Sequence, residues 1–314
     1  MTFDFLPLIP KISIVVLNWN GLHDTLVCLE SLKAVDYKSF DIILVDNAST
    51  DGSPEKLREM AKQNPKINLV FNSKNLGFSG GVNVGIRKAL DKKADYVLLL
   101  NNDTCVNTSF LTHLVRVALS NPSVGIVGPK VYYDGQDRVL YCAGSRVIKT
   151  LGQPLMRGLG QMDHGQYDKQ EEVGFISGCC LLIKKEVIEK IGLLDEDYFA
   201  FFEDLDWNIR AQQAGYQLVY VPSSVIWHKG SNTIGLKSPA YYFLHARNRI
   251  LFARKHSGVL SFWFLFVPYF LIYRYLWASL SLILQGRWKQ VWALHQGIFS
   301  AITGNHNSLT RYFG

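Results

Sequence analysis

The strongest constraint on the fold of this chain is a regular alternation between short apolar runs and helix-length segments. Five runs rich in β-branched and other apolar residues cover Ile12–Leu17, Phe40–Val45, Ile67–Phe71, Tyr96–Leu100 and Val124–Val127. The segments between them repeat apolar residues at helical spacing, as at Val82, Ile86 and Leu90. Because strands that alternate with helices form βαβ units, the sequence predicts an α/β domain whose mainly parallel sheet is flanked by helices.

Composition narrows the classes of partner. The chain has 314 residues, of which 48% are apolar and 19% charged, as in a globular protein with a large core. A net charge of +7 favours partners that carry phosphates or anionic headgroups, while the lack of a long basic block predicts no nucleic-acid partner. Five cysteines without Cys-x-x-Cys spacing, and no secretory signal over residues 1–10, predict a cytoplasmic protein.

The last part of the chain has a different character. Residues 259–284 are almost wholly apolar and aromatic, interrupted by Pro268 and Arg274 and flanked by basic residues. We expect two half-length helices that lie in a membrane interface, because an arginine near the middle of a spanning helix is costly. A buried helical hairpin or a contact in a homo-oligomer is the alternative. The predicted division is a domain over 1–250 and a helical, membrane-associating region over 251–314, peripheral at the inner face of the cell membrane.

Polar side chains follow several predicted strands. The first run leads into Asn18, the second into Asp46, and the fourth into the Asn-Asn-Asp segment that ends at Asp103. The carboxyl ends of parallel strands meet at one edge of a sheet, where α/β proteins bind ligands. A carboxylate at that edge is a hard oxygen donor of the kind that binds Mg²⁺ or Mn²⁺. The alternative for each segment is an ordinary turn.

Three further segments carry chemistry. Asn75 and Gly77 follow the third run in a glycine-rich stretch that opens a helix, without the Gly-x-Gly-x-x-Gly spacing of a dinucleotide site. Glu203 and Asp204 lie among aromatic residues, whose packing raises the pKa of a carboxylate and suits it to act as a base. Favourable interaction with a helix dipole is the alternative. His228 is interpreted as a metal or diphosphate contact, or as a structural histidine.

Two other segments remain open. Residues 134–172 form a glycine-rich polar stretch that is either a loop on the acceptor side or a long surface connection. Arg247 lies on a predicted helix and is interpreted as a phosphate contact or as part of a solvated basic face.

Taken in order, these motifs resemble one known family. They read Val16-Leu17-Asn18-Trp19-Asn20-Gly21, Asp46-Asn47-Ala48-Ser49-Thr50-Asp51, Asn75-Leu76-Gly77-Phe78, Asn101-Asn102-Asp103, Gly178-Cys179-Cys180-Leu181-Leu182, Glu203-Asp204 and Trp227-His228. The succession, over residues 11–250, resembles the inverting glycosyltransferases of family 2 with a GT-A fold. It is most similar to bacterial rhamnosyltransferases of cell-surface polysaccharide assembly.

The resemblance implies a fold, a reaction and partners. It implies a Rossmann-like GT-A domain that moves a sugar, with dTDP-rhamnose as the first choice of donor, to a hydroxyl of a lipid-linked or polysaccharide acceptor with the help of Mg²⁺ or Mn²⁺. A catalytically inactive nucleotide-sugar-binding protein docked on a membrane is the alternative.

The resemblance also implies residue roles. Asp204 matches the catalytic base, with Glu203 beside it, and the metal ligands are Asp103 and His228. The sequence departs from the Asp-x-Asp motif at its first position, which is Asn101. The donor-binding residues are Leu17, Asn18, Trp19, Asn20, Asp46, Asn75, Gly77, Asn102 and Asp103.

Overall fold

The structure is a computed structural model that describes residues 9–230, 235, 237–304 and 312. Two segments considered from the sequence lie outside the described residues. One is residues 1–8, which make up most of the segment predicted to lack a secretory signal. The other is Ser231, which follows the motif around His228.

Strands and helices alternate over the first 120 residues, as predicted, and strands then dominate up to residue 184. The strands are β1 (Ile12–Asn18), β2 (Phe40–Asp46), β3 (Ile67–Phe71), β4 (Tyr96–Asn101), β5 (Thr104–Val106), β6 (Val124–Tyr133), β7 (Leu140–Cys142), β8 (Ser145–Ile148), β9 (Gln153–Met156), β10 (Glu171–Glu172), β11 (Cys180–Lys184) and β12 (Gln217–His228). The helices up to residue 256 are α1 (Leu22–Lys33), α2 (Ser53–Gln63), α3 (Gly77–Asp91), α4 (Phe110–Ser120), α5 (Lys185–Ile191), α6 (Glu203–Gln213) and α7 (Pro239–His256).

One large sheet organises the domain. Its strands follow the order β10-β12-β6-β11-β4-β1-β2-β3, and β5 and β7 pair with β12 and β6 at its side. The four strands β4, β1, β2 and β3 are parallel, whereas β11 runs antiparallel to both β4 and β6. Ile14 packs into one apolar cluster and its neighbour Val15 into another, so helices cover the sheet on both faces. The prediction of a mainly parallel sheet flanked by helices is confirmed.

Strands β6 and β12 are longer than the sequence predicts. The run over residues 124–127 covers only the first part of β6, which continues to Tyr133. Residues 217–221, followed by Pro222, predict a short strand that ends at the proline, but β12 continues to His228 with a shift of register between Val221 and Val225. A proline cannot donate a hydrogen bond to a neighbouring strand, and a bulge removes the need for one. This continuation places His228 beside the end of β4.

The glycine-rich stretch 134–172 is more ordered than expected. It contains β7, the β8–β9 hairpin and β10 rather than a single irregular connection. A buried ion pair, in which Lys130 Nζ lies 2.8 Å from Asp163 Oδ2, fastens it to β6. The side chains of Lys130 and Asp163 are 4% and 1% exposed, respectively. The segment is therefore part of the folded domain.

The expected pair of half-length apolar helices is wrong. Val259–Leu284 is one continuous helix of 26 residues, referred to below as the apolar helix. It runs through Pro268 and Arg274, with wider π-helical winding over Phe262–Phe266 and Phe270–Leu276. Wider turns on both sides of a proline relieve its clash with the preceding turn, which explains why the helix does not break. By length and composition this segment could cross a membrane, and it is the one such helix among the described residues.

The last helix that the structure describes in full, Trp288–Thr303, packs along α7. A Cβ atom on Gly297 would lie 2.3 Å from the carbonyl oxygen of Phe243, so only glycine permits this approach. Helix α7 itself runs from Pro239 to His256 and therefore crosses position 250, the predicted division of the chain.

Candidate functional site

A chain of side-chain hydrogen bonds crosses the carboxyl ends of β4, β1 and β2. Asn102 Nδ2 donates to Thr25 Oγ1 (2.9 Å), and Thr25 Oγ1 donates to Asn18 Oδ1 (2.8 Å). Asn18 Nδ2 then donates to Asp46 Oδ2 (2.8 Å). The structure thus brings three of the predicted donor-binding residues together, and it holds them in fixed orientations because each bond is partly or fully buried.

The loops that follow β1 and β2 lock onto each other. Asp46 Oδ1 accepts the backbone N–H of Ser49 (3.0 Å), and Ser49 Oγ accepts the backbone N–H of Asn20 (2.9 Å). Asn20 lies at a φ of 51°, and its side-chain oxygen accepts the backbone N–H of Thr50 (2.7 Å). Trp19, which lies between Asn18 and Asn20 in the sequence, is half-buried. These bonds form a preorganised rim above Asp46.

Asn47 is a site residue that the sequence reasoning missed. Its Nδ2 donates to Asn75 Oδ1 (2.9 Å) and to the carbonyl of Gly77 (3.0 Å). Its Oδ1 accepts from the backbone N–H of Leu76 (3.1 Å). The side chain therefore fixes the turn before α3, and Asn75 Nδ2 is left buried without a hydrogen-bond partner. Its position directly after Asp46 was the available signal.

Two glycines of α3 allow neighbouring side chains to approach the helix backbone closely. Gly77 has a φ of 72°, and a Cβ atom there would lie 2.5 Å from the ring of Phe199. Gly81 faces Leu17, whose Cδ1 would be 2.6 Å from an added Cβ. The start of α3 thus fits tightly between the end of β1 and the loop that carries Phe199.

The structure brings together Asp103 and His228, the two residues predicted to bind a metal. Asp103 Oδ1 lies 3.1 Å from His228 Nε2, and both side chains are less than 10% exposed. The ring of Tyr141 packs edge-on against that of His228, with centroids 4.7 Å apart. Asn101 Oδ1 and His228 Nδ1 are also buried without hydrogen-bond partners. Buried polar atoms without a partner are uncommon and can indicate an ion or ligand that is not present.

These residues fit a divalent cation as a partial ligand set. Two adjacent ligands of an octahedral Mg²⁺ or Mn²⁺, each at about 2.1 Å, are separated by roughly 3.0 Å, which matches the Asp103–His228 distance. No cluster of three or more His, Cys, Asp or Glu side chains suited to a metal occurs among the residues that the structure describes. A cation at this pair would therefore take its other ligands from phosphate oxygens and water, as Mg²⁺ commonly does.

Glu203 and Asp204 begin α6 on the other side of β11. Asp204 Oδ2 accepts the backbone N–H of Gly178 (2.9 Å), and burial raises its pKa above the usual range for an aspartate. Burial, followed by the neighbouring charge of Asp204, raises the pKa of Glu203 well above its usual value. Glu203 is 5% exposed and its Oε2 has no hydrogen-bond partner. Desolvation of this kind makes a carboxylate a stronger base.

Two adjacent residues, Gly178 and Cys179, join the two halves of the site. The backbone N–H of Gly178 donates to Asp204, and the Cys179 carbonyl accepts the backbone N–H of Asn101 (2.9 Å). A Cβ atom on Gly178 would lie 3.1 Å from the Cβ of Asp204, tighter than most such contacts. The backbone of these two residues therefore sets the position of the predicted base relative to the end of β4.

The loop before Asp204 is strained. Phe199, Phe201 and Phe202 all have left-handed backbone conformations, with φ values of 63°, 67° and 76°. Such conformations are unfavourable for residues with a large side chain and persist only where surrounding contacts impose them. Here the contact is Asn248 on α7, whose Nδ2 donates to the carbonyls of Tyr198 (2.8 Å), Ala200 (2.8 Å) and Phe201 (2.9 Å).

Arg247 is not part of a solvated basic face, one of the two roles considered from the sequence. It is 1% exposed. Its guanidinium donates to the carbonyl of Asp197 and to Asn248 Oδ1, and its Nε donates to Ser300 Oγ (3.3 Å). The side chain therefore orients Asn248 and links the loop to the 288–303 helix.

Replacing Asn248 with alanine should destabilise the fold by about 2–4 kcal/mol, because three buried carbonyls lose their shared donor. Chemical denaturation of the full chain measures this. Asn121→Ala serves as the matched control, since Asn121 is exposed and its side chain accepts only the nearby backbone N–H of Ser123, while its other bonds are made by the backbone carbonyl that alanine keeps. Equal unfolding midpoints for Asn248→Ala and Asn121→Ala would show that Asn248 does not support the loop.

Helix α6 is also anchored by a buried ion network. Asp206 is fully buried, and its Oδ2 lies 2.7 Å from Arg210 Nε. Its Oδ1 lies 2.7 Å from His256 Nε2 and 2.8 Å from Lys255 Nζ. Despite its burial, these partners lower the pKa of Asp206 to about 2. The network ties the helix that begins with Glu203 and Asp204 to the end of α7.

Solved structures with the same architecture have a GT-A fold. The mannosyltransferase PcManGT of Pyrobaculum calidifontis, in complex with GDP-Man and Mn²⁺, superposes with a TM-score of 0.58 at 19% identity, over 96% of this chain and 78% of that one. TarS of S. aureus, in complex with UDP-GlcNAc, superposes with a TM-score of 0.56 at 16% identity, over 93% and 81% of the two chains. The predicted GT-A fold with a C-terminal apolar helix is therefore confirmed.

Sequence comparison identifies the family. The N-acetylglucosaminyl-diphospho-decaprenol L-rhamnosyltransferase of Mycobacterium tuberculosis is 26% identical over 250 residues, 73% of this chain and 80% of that protein. The dTDP-rhamnosyl transferase RfbF of Shigella flexneri is 26% identical over 227 residues, 68% and 71% of the two chains. The family model described as "Glycosyl transferase family 2" matches residues 13–192, more than half of the chain. The protein therefore belongs to glycosyltransferase family 2.

Proposed function

We propose that this protein is an inverting glycosyltransferase that moves rhamnose from dTDP-rhamnose to a hydroxyl of a lipid-linked or polysaccharide acceptor. The observation that carries the proposal is a desolvated carboxylate, Asp204, held by the Gly178 N–H at a fixed position relative to the end of β4. The names of two relatives, a decaprenol-linked and a dTDP-rhamnosyl transferase, support the choice of rhamnose and of a lipid-linked acceptor.

Each chemical task has a residue in this proposal. The strand-end chain around Asp46 holds the nucleoside, and the start of α3 borders the sugar. Asp204 removes the proton of the acceptor hydroxyl as that oxygen attacks the sugar carbon from the face opposite the diphosphate. Asp103 and His228 hold the divalent cation, which when bound neutralises the charge that develops on the departing diphosphate. Glu203, whose pKa burial and the charge of Asp204 raise above its usual value, orients the acceptor.

The membrane-facing part of the proposal rests on the apolar helix. Much of its surface is exposed, and the 288–303 helix adds further large apolar side chains to the same region. The exposed residues are Val259, Leu260, Trp263, Phe264, Leu265, Leu271, Ile272, Tyr273, Leu276, Trp277, Leu280, Ile283, Leu284, Trp288, Trp292, Phe299 and Ile302. Basic residues at both ends and tryptophans along the surface suit a membrane interface on the cytoplasmic side. A contact between two copies of the chain is the alternative.

The full chain with Mn²⁺ or Mg²⁺ should be stabilised against heating more by dTDP-rhamnose than by UDP-GlcNAc or GDP-mannose, because a bound ligand shifts the unfolding equilibrium. A turnover assay completes the test, with a lipid-linked N-acetylglucosaminyl diphosphate as acceptor. Release of nucleoside diphosphate that requires this acceptor is the expected result. Donor binding without any acceptor-dependent release would favour instead an inactive nucleotide-sugar-binding protein.

A further inference from the structure

Arg249 and Arg274 come from two helices, α7 and the apolar helix, that both contact the β8–β9 hairpin. Arg249 on α7 is 7% exposed, and its guanidinium carbon lies 5.2 Å from the ring centre of Phe202, the residue before Glu203. Arg274 comes from the middle of the apolar helix, and its charge acts on Arg249 and on His245 of α7. Arg249 therefore lies between this hairpin and the residue that precedes Glu203, within reach of the charge of Arg274.

Neither arginine is neutralised. Neither forms an ion pair with a carboxylate within the part of the chain that the structure describes. Arg249 Nη1 donates only to the carbonyls of Leu151 (3.1 Å) and Gly152 (2.6 Å). Arg274 Nε is buried and has no hydrogen-bond partner. A buried guanidinium N–H without an acceptor is costly unless a ligand supplies one.

The surroundings carry the signature of uncompensated positive charge. Burial, and then the charge of Arg274, lowers the pKa of Arg249 to about 10. Burial, and then the charges of Arg249 and Arg274, lowers the pKa of His245 to about 3. His245 is therefore neutral and packs between aromatic rings, with its ring centre 4.1 Å from that of Tyr241. An anion between the arginines would relieve their repulsion.

The place of Arg274 indicates what kind of anion this is. The apolar helix exposes large apolar side chains on both sides of it in the sequence, such as Ile272 and Leu276. Tyr269 OH donates to Gln153 Oε1 (2.8 Å) and so fastens this part of the helix to β9 of the domain. A ligand bound to both arginines would contact the apolar helix and lie near Phe202, two residues before the proposed base. A phosphate joined to both a hydrocarbon chain and a glycan matches these two environments.

We propose that Arg249 and Arg274 form a subsite for the diphosphate of a lipid-linked acceptor, with the lipid chain lying along the apolar helix and the glycan directed towards Asp204. The assignment rests on the proposed function for the identity of the acceptor. The guanidinium groups bind the phosphate oxygens by charge-assisted hydrogen bonds. The subsite would select acceptors that carry an anionic link between lipid and sugar.

Binding of farnesyl diphosphate to the detergent-solubilised full chain tests the subsite without donor or turnover. The binding result can therefore be interpreted even if the proposed transfer reaction does not occur. Because a hydrogen bond to a charged group is lost, Arg274→Gln should weaken binding by on the order of tenfold, and Arg274→Lys by less. Lys289→Gln removes an exposed cation from the first turn of the 288–303 helix and should bind as the wild type. Matching thermal unfolding of the three variants establishes that each is folded.

Additional ligands separate the sources of the phosphate. Farnesol, which lacks the diphosphate, and inorganic pyrophosphate, which lacks the chain, should each bind more weakly than farnesyl diphosphate. Equal affinity of wild type and Arg274→Gln for farnesyl diphosphate would overturn the proposal. So would a loss of binding by Arg274→Gln that appears only with phosphatidylglycerol vesicles, since the arginine would then serve membrane headgroups. Pyrophosphate that binds as tightly as farnesyl diphosphate would overturn the lipid assignment.

Discussion

Asp204→Asn should lower the rate of transfer by about 10²- to 10⁴-fold at saturating donor and acceptor, the range usual for loss of a general base. The amide oxygen can still accept the Gly178 N–H, although the second bond of Asp204, from the Leu205 N–H, is lost, and an amide cannot take a proton from the acceptor. Donor binding should persist, because the strand-end chain around Asp46 does not involve Asp204. Steady-state kinetics and donor-induced thermal stabilisation measure the two effects separately.

Asp197→Asn is the matched control for this change. Asp197 lies seven residues earlier on the same side of the site, is exposed, and contributes its backbone carbonyl rather than its carboxylate to Arg247. Its activity should stay within about twofold of the wild type, as for most surface substitutions. Near-normal turnover by Asp204→Asn would transfer the role of base elsewhere. Glu203→Gln would then be the variant to compare, because Glu203 is the adjacent carboxyl group.

The second large effect is expected at the predicted metal pair. Asp103→Ala removes the only carboxylate opposite His228 Nε2 among the described residues, so Mn²⁺ should no longer increase the thermal stabilisation produced by the nucleotide sugar. Loss of a residue that merely orients a metal ligand weakens metal affinity by about 10- to 100-fold. Loss of the ligand itself should weaken metal affinity by a larger factor. In an activity titration with Mn²⁺, the metal concentration that gives half-maximal activity should rise by at least the same factor.

Asp137→Ala provides the comparison, because Asp137 is an exposed aspartate on the turn after β6 and lies outside the proposed pair. It should respond to Mn²⁺ as the wild type does. If Asp103→Ala also keeps the full metal-dependent stabilisation, the cation is bound by other groups. His228→Ala then shows whether His228 is one of them, since a cation bound elsewhere would leave that variant unaffected as well.

The sheet was predictable because its strands are buried on both faces. Such strands appear in the sequence as unbroken apolar runs, and four of the five runs match strands to within one residue. Local patterns failed where long-range contacts override them. Pro222 is accommodated by a bulge in β12, and Pro268 by the wide winding of the apolar helix. Neither compensation is visible in the residues next to the proline.

The site was predictable only where its residues follow a strand directly. Asp46, Asp103 and His228 lie at strand ends that the topology brings to one edge, so their chemistry could be inferred from position. Asn248 supports the segment before Asp204 from about 50 positions further along the chain, and nothing in its neighbours distinguishes it from a surface asparagine. Arg247 was misread for the same reason, since a buried arginine that binds backbone carbonyls has no local sequence signature.

The three left-handed phenylalanines have a consequence for the order in which the protein assembles. Residues 198–201 are synthesised well before Asn248, and they have no other side chain that binds three of their carbonyls at once. Contacts between distant parts of a chain form late in folding because their loop-closure entropy is high. The strained segment should therefore reach its final conformation only after α7 docks. A chain that ends before α7 would contain every strand described above but would have an unfinished site.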